Sequence, residues 1–220
     1  MDEDLSPEKI AQYVETLRAH RDSGRGWYDR DETWARDKLQ EHFDRIRARE
    51  SHVSSSVPPL YESALVSDFT QEDFEAPFEE GTPRDIKIRG ANGAGKSHLG
   101  AALALSWGGL FVSSAETAVR IRASFRGEGS EREILAELGE APLLVLDDIF
   151  APASTDFWCA SLLVILERRI THRLPTVVTT DKTLVQIDER DSSIASRLAS
   201  FENVVLKGGD RRLRRAKEQP

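Results

Sequence analysis

The stretch that most constrains this chain is Gly90-Ala91-Asn92-Gly93-Ala94-Gly95-Lys96-Ser97, which fits G-x-x-x-x-G-K-[ST]. Before it, Asp85-Ile86-Lys87-Ile88-Arg89 alternates polar and apolar residues, as a short strand does. After it, Ser97 to Trp107 is rich in Ala and Leu and reads as a buried helix. Strand, glycine loop and helix are the context this motif needs. Glycines let the backbone turn its N–H groups inward into a cradle for phosphate oxygens, and the helix aims its partly positive N-terminus at the same place. Lys96 supplies a mobile cation for the outer phosphates, and the Ser97 hydroxyl a ligand for Mg²⁺.

A second motif supports the first. Leu143-Leu144-Val145-Leu146-Asp147-Asp148 is an apolar strand ending in two acids, about 50 residues further on. A strand buried on both faces would deliver Asp147 to the sheet edge beside the glycine loop, where it can hold Mg²⁺. Asp148 is then the candidate for polarising an attacking water. Thr179-Thr180-Asp181 leaves a later strand, PTVVTT, where a polar side chain can reach a terminal phosphate or the water. Turn formation accounts for those three residues equally well.

Strand and helix signals alternate from residue 81 onward, which is the pattern of an α/β fold with a parallel sheet. Further strands are expected at Leu110–Ser113, Pro142–Leu146, Pro175–Thr180 and Asn203–Leu206. Helices are expected at 115–126, 130–138, 157–173 and 191–201. Residues 51–80 read as a linker and an acidic lead-in, because Pro58-Pro59 bars helix and 68–80 is DFTQEDFEAPFEE. One helical turn is expected there, at Gln71 to Phe74. The first 50 residues hold two amphipathic helix patterns, one over 6–19 and one from about Asp31 to Arg49, with Trp27, Tyr28 and Trp34 between and within them. So short a hairpin makes a poor core alone, and its aromatic residues serve either to hold it together or to dock a partner.

Composition excludes several classes. In 220 residues with a net charge of −8 there is a single cysteine, so no internal disulfide forms. No apolar run is long enough to span a bilayer and the acidic N-terminus lacks a signal-peptide core, which makes a cytoplasmic setting the expectation. The charge is uneven, however. Arg211, Arg212, Arg214 and Arg215 form a basic tail that could meet nucleic acid despite the low overall pI.

The order of these pieces resembles AAA+ ATPases of the DnaC-type helicase loader and IstB-type transposition helper group, over roughly Pro59 to Arg212. The matching pieces are Pro59-Leu60-Tyr61 with Asp68-Phe69, GANGAGKSHL, VSSAETAVRIRASFR, LLVLDDIF, ILERRITHRLPTVVTT, IASRL and GGDRR. The resemblance implies ATP with Mg²⁺, a five-stranded sheet without a full lid, and slow hydrolysis that depends on assembly or on DNA. It puts the nucleotide on Gly90 through His98, with Tyr61 approaching the adenine and Thr180 or Asp181 as the sensor after the fourth strand. It makes Arg197 an arginine finger that reaches the nucleotide of a neighbouring copy, so that self-association completes the enzyme. It sets Arg120, Arg122 and Arg126 toward single-stranded DNA. Residues 1–50 would bind a replicative helicase or, in the alternative, a transposase brought to duplex DNA; a third option is an adaptor locked by ATP with negligible turnover. Three departures stand out. Ile149-Phe150 follow the acid pair, the second acid is Asp where Glu is common, and Arg211 stands where the closing motif has tyrosine.

Overall fold

The computed structural model describes residues 56–150 and 155–209. The helical patterns and aromatic residues of the first 50 positions, and the basic residues from Arg211 on, lie outside the described residues.

Five parallel strands form one sheet: β1 (Ile86–Arg89), β2 (Leu110–Ser113), β3 (Leu144–Asp147), β4 (Thr176–Thr180) and β5 (Glu202–Val205), in the order β2-β3-β4-β1-β5. The central strands β3, β4 and β1 are almost entirely buried, as strands covered on both faces must be, although only β3 is a continuous apolar run. Between them run α1 (Lys96–Trp107), α2 (Ser114–Ser124), α3 (Glu131–Glu140), α4 (Asp156–Thr171), α5 (Leu184–Arg190) and α6 (Ser192–Leu198). The α/β class and the five strands are those expected from the sequence. α5 is new. Its signal was the capping box Thr183-x-x-Gln186, in which each side chain meets the other residue's backbone N–H.

Side chains alternate across each strand. Ile86, Ile88, Val145 and Val177 face a cluster with Leu99 and Leu103 of α1. Leu144, Leu146 and Val178 face the opposite cluster with Ile165 of α4 and Ile194 of α6. Asp147 and Thr179, each two residues beyond an α1-facing valine, therefore emerge on the α1 face at the C-terminal edge. Gly100 lets α1 lie close there, since a Cβ on it would come within 3.2 Å of both Thr179 and Val145.

The segment expected as a linker is, from Ser56 on, part of the core. The Ser56 hydroxyl accepts from Phe111 N–H at the β2 edge (3.1 Å). Val57, Ala64, Phe69, Phe74 and Phe78 are buried in the α1-side cluster. At the other edge, Glu75 N–H donates to Val205 O (2.9 Å) and Lys207 N–H to Asp73 O (2.7 Å), so the strap covers β5. The expected helical turn here is a short 3₁₀ turn at Gln71–Asp73. On the far face Arg169 of α4 is fully buried. It donates to Thr176 Oγ1 and to the carbonyls of Leu138, Ala141 and Pro175 at 2.6–2.9 Å, bracing α3 and β4 to α4.

Candidate nucleotide site

The glycine loop joins β1 to α1. Gly95 has φ of 105°, a conformation that strains any residue with a Cβ, and it sits immediately before the first helical residue, Lys96. Gly93 is also left-handed, with φ of 76°. The Lys96 ammonium folds back across the loop and donates to the carbonyls of Gly90 (3.0 Å) and Ala91 (3.1 Å). Ser97 and His98 follow in the first turn of α1.

Across the sheet edge lies a short polar chain. Thr179 Oγ1 donates to Asp147 Oδ1 (2.6 Å) and accepts from Asp148 N–H (2.8 Å). One hydroxyl thus fixes both acids. Asp148 adopts φ of 51°. Such a conformation costs of order 1–3 kcal/mol in a residue with a side chain, and aspartate tolerates it better than most. The next residue is tied down on both sides: Ile149 is fully buried, its N–H donates to Thr179 O (3.0 Å), and its carbonyl accepts from Trp158 Nε1 (2.9 Å). Ile149-Phe150, unusual after such an acid pair, here root the turn in the core.

The electrostatics tie this chain to the loop. Burial, then the carboxylates of Asp147 and Asp181, push the Asp148 carboxyl above the ordinary range, while Lys96 and Lys182 pull it back. A carboxylate raised in this way is a better proton acceptor for water. Lys182 Nζ donates to Asp181 Oδ2 (3.0 Å). Thr180 is placed otherwise than expected. One residue along the strand from Thr179, it is fully buried with its hydroxyl accepting from Lys182 N–H (3.1 Å). Thr179 is the threonine that meets the acids.

Near α1, the strap brings Tyr61 edge-on to His98, with ring centroids 6.1 Å apart, and Asp68 Oδ2 lies 2.7 Å from His98 Nε2. Arg197, on the last turn of α6, has other partners: its Nε donates to Glu167 Oε2 of α4 (2.6 Å). Arg120 pairs with Glu137 of α3, and Arg122 donates to Thr155 Oγ1 (2.9 Å) with its guanidinium 6.0 Å from the Phe157 ring centre. Arg126 follows α2.

The residues fit a magnesium ion carried with a triphosphate. Ser97 and Asp147 offer hard oxygen donors, as Mg²⁺ requires. Among the described residues no group of three or more His, Cys, Asp or Glu side chains could hold a metal alone, so phosphate oxygens and water would complete its shell.

Glycine cradle, facing acid pair and strand order together define a P-loop α/β fold of the AAA+ type. No family model and no curated protein sequence matches the chain. Solved structures do. A crystal structure of DnaI matches with a TM-score of 0.54 at 24% identity, covering 68% of this chain and 94% of that one. The replication initiator DnaA bound to AMPPCP and single-stranded DNA matches at 0.55 and 18%, covering 74% of this chain and 55% of the other. A DNA replication initiation factor matches at 0.53 and 20%, with 64% and 45% covered. The chain thus spans about half the length of these last two. It shares the fold of these structures, a five-stranded parallel α/β sheet flanked by helices. Among the described residues no helix is long and apolar enough to cross a membrane.

Proposed function

We propose that this chain is a replication-related AAA+ protein that binds ATP with Mg²⁺ and hydrolyses it slowly in a self-assembly, acting as a loader for a replicative helicase. The observation that carries the ATPase reading is the Thr179 hydroxyl clamped between Asp147 and Asp148, within the electrostatic reach of Lys96. Lys96 exchanges two backbone carbonyls for phosphate oxygens when the triphosphate enters. Ser97 and Asp147 would hold the magnesium ion, which would supply charge neutralisation for the phosphates. Asp148 orients and deprotonates the attacking water, and Thr179 keeps both acids in place. Arg197 enters the site of a neighbouring copy. Its pairing with Glu167, and not with Asp147 or Asp148 of its own chain, supports action between subunits rather than within one.

The loader reading rests on the ordered motifs and on the fold shared with DnaI. Residues 1–50 take the helicase, and Arg120, Arg122, Arg126 with the basic tail take single-stranded DNA, which DnaA holds in its own structure. Two experiments test this. Arg197→Ala and Lys96→Ala proteins, each strongly impaired, should regain part of the ATPase rate when mixed; no recovery at any ratio contradicts action between subunits. Residues 1–55 used as bait should recover a hexameric helicase, whereas recovery of a recombinase would shift the reading to a transposition helper.

A further inference from the structure

Arg197 is held in a way that its own chemistry does not require. Its Nε donates to Glu167 Oε2 (2.6 Å) and its Nη1 to the Ser193 carbonyl one helical turn back (2.9 Å). No described residue accepts from Nη2. Two of the three guanidinium nitrogens, Nε and Nη1, are thus pinned to the protein, on opposite sides of Nη2. Glu167 is not shared with the arginine beside it, because Arg168 pairs with Glu140 of α3.

The pair is a poor stabiliser of the fold. The side chains of Arg197 and Glu167 are 31% and 58% exposed, and surface pairs of this kind contribute about 0–1 kcal/mol. What the pair does achieve is order. A free arginine carries roughly 2 kcal/mol of rotamer entropy, which must be surrendered each time it grips a phosphoryl group. A pinned one has surrendered it in advance.

We infer that Glu167 is a positioning residue for Arg197: it splints the guanidinium with Nη2 facing outward, ready for the terminal phosphate of the nucleotide bound by a second copy of this chain. This rests on the reading of Arg197 as acting between subunits. The opposite role, a latch that keeps Arg197 away from its target, predicts the opposite sign and is separated by the same test.

The test is a double-mutant cycle on the full chain, with steady-state ATPase, nucleotide binding and urea unfolding measured for wild type, Glu167→Gln, Arg197→Ala and the double variant. Glu167→Gln keeps the shape and removes the charge. It should lower kcat on the order of 10- to 100-fold, with KM and the unfolding midpoint nearly unchanged. In the Arg197→Ala background the same change should have no further effect, which a merely structural glutamate would not produce. A Glu167→Gln rate equal to or above wild type, alongside an Arg197→Ala protein reduced to a measurable residual rate, overturns the splint while sparing the finger. So does an additive loss in the double variant. A fully active Arg197→Ala protein overturns the finger itself, and the splint with it.

Discussion

At the scale of single residues, one hydroxyl carries the site. Thr179 donates to Asp147 and accepts from Asp148, so replacing it by the isosteric valine removes a bond to a carboxylate and frees the strained backbone of the next acid. Such bonds contribute about 1.5–3 kcal/mol. Thr179→Val should therefore lower kcat roughly 10- to 100-fold, with the fold intact by circular dichroism. Thr180→Val removes only a turn contact to Lys182 N–H and should stay within a few-fold of wild type. Equal losses for the two would disconnect the Thr179 bond from catalysis. The sequence did not separate these threonines. In TVVTT, Thr176–Thr180, every residue is buried, so hydrophobic alternation is absent and nothing marks which face each hydroxyl takes. The φ of Asp148 was likewise invisible, because it follows from the anchoring of Ile149 by Trp158, nine residues on. The strand, loop and helix around Gly90 to Ser97 and the strand that ends in Asp147 were legible, since glycine spacing and local apolar pattern mark them without tertiary context.

At the scale of elements, β1 holds an unusual lysine. Lys87 points away from Ile86 and Ile88, lies in register with Val178 and Asn203, and is 4% exposed. Burial first, and then the charge of Arg89, lower its pKa from the ordinary 10.5. The sign follows from linkage. Below the folded-state pKa both states hold the proton and the fold bears the full cost of the buried charge. As pH rises through that value toward 10.5, the unfolded chain binds more protons than the native one, and stability recovers. Lys87→Met should therefore raise the urea midpoint at pH 7, and its advantage should shrink by pH 10. A constant or widening advantage would mean that the lysine is not penalised by burial. The strap over 56–78 shows what sequence could not reveal about elements. Its acids hide three buried phenylalanines at irregular spacing, and its partners are the edges of β2 and β5, far away in the chain. The helix over 184–190 was missed for a different reason: seven residues are too few for a clear hydrophobic period, although their capping box was readable.

At the scale of the whole molecule, the strand order brings β1, β3 and β4 side by side, so that the glycine loop, the acid pair and the threonine all leave the sheet at one edge. This convergence was expected from two motifs alone, because a P-loop and an apolar strand ending in acids are useful only when adjacent. The likeness to DnaI and DnaA extends that agreement to the architecture. Arg197 and Glu167, thirty residues apart, meet only because α4 and α6 pack on the same sheet face. The central claim is that triphosphate is gripped between the glycine loop and the facing acids. Its most direct measurement is titration calorimetry of ATP with Mg²⁺ against the wild-type chain and Lys96→Ala. Wild type should bind one nucleotide per chain, and the substitution should weaken binding on the order of 100-fold, in keeping with the loss of a charge-assisted phosphate contact of about 3 kcal/mol. Equal affinity in the two proteins, or no binding by wild type, would contradict it.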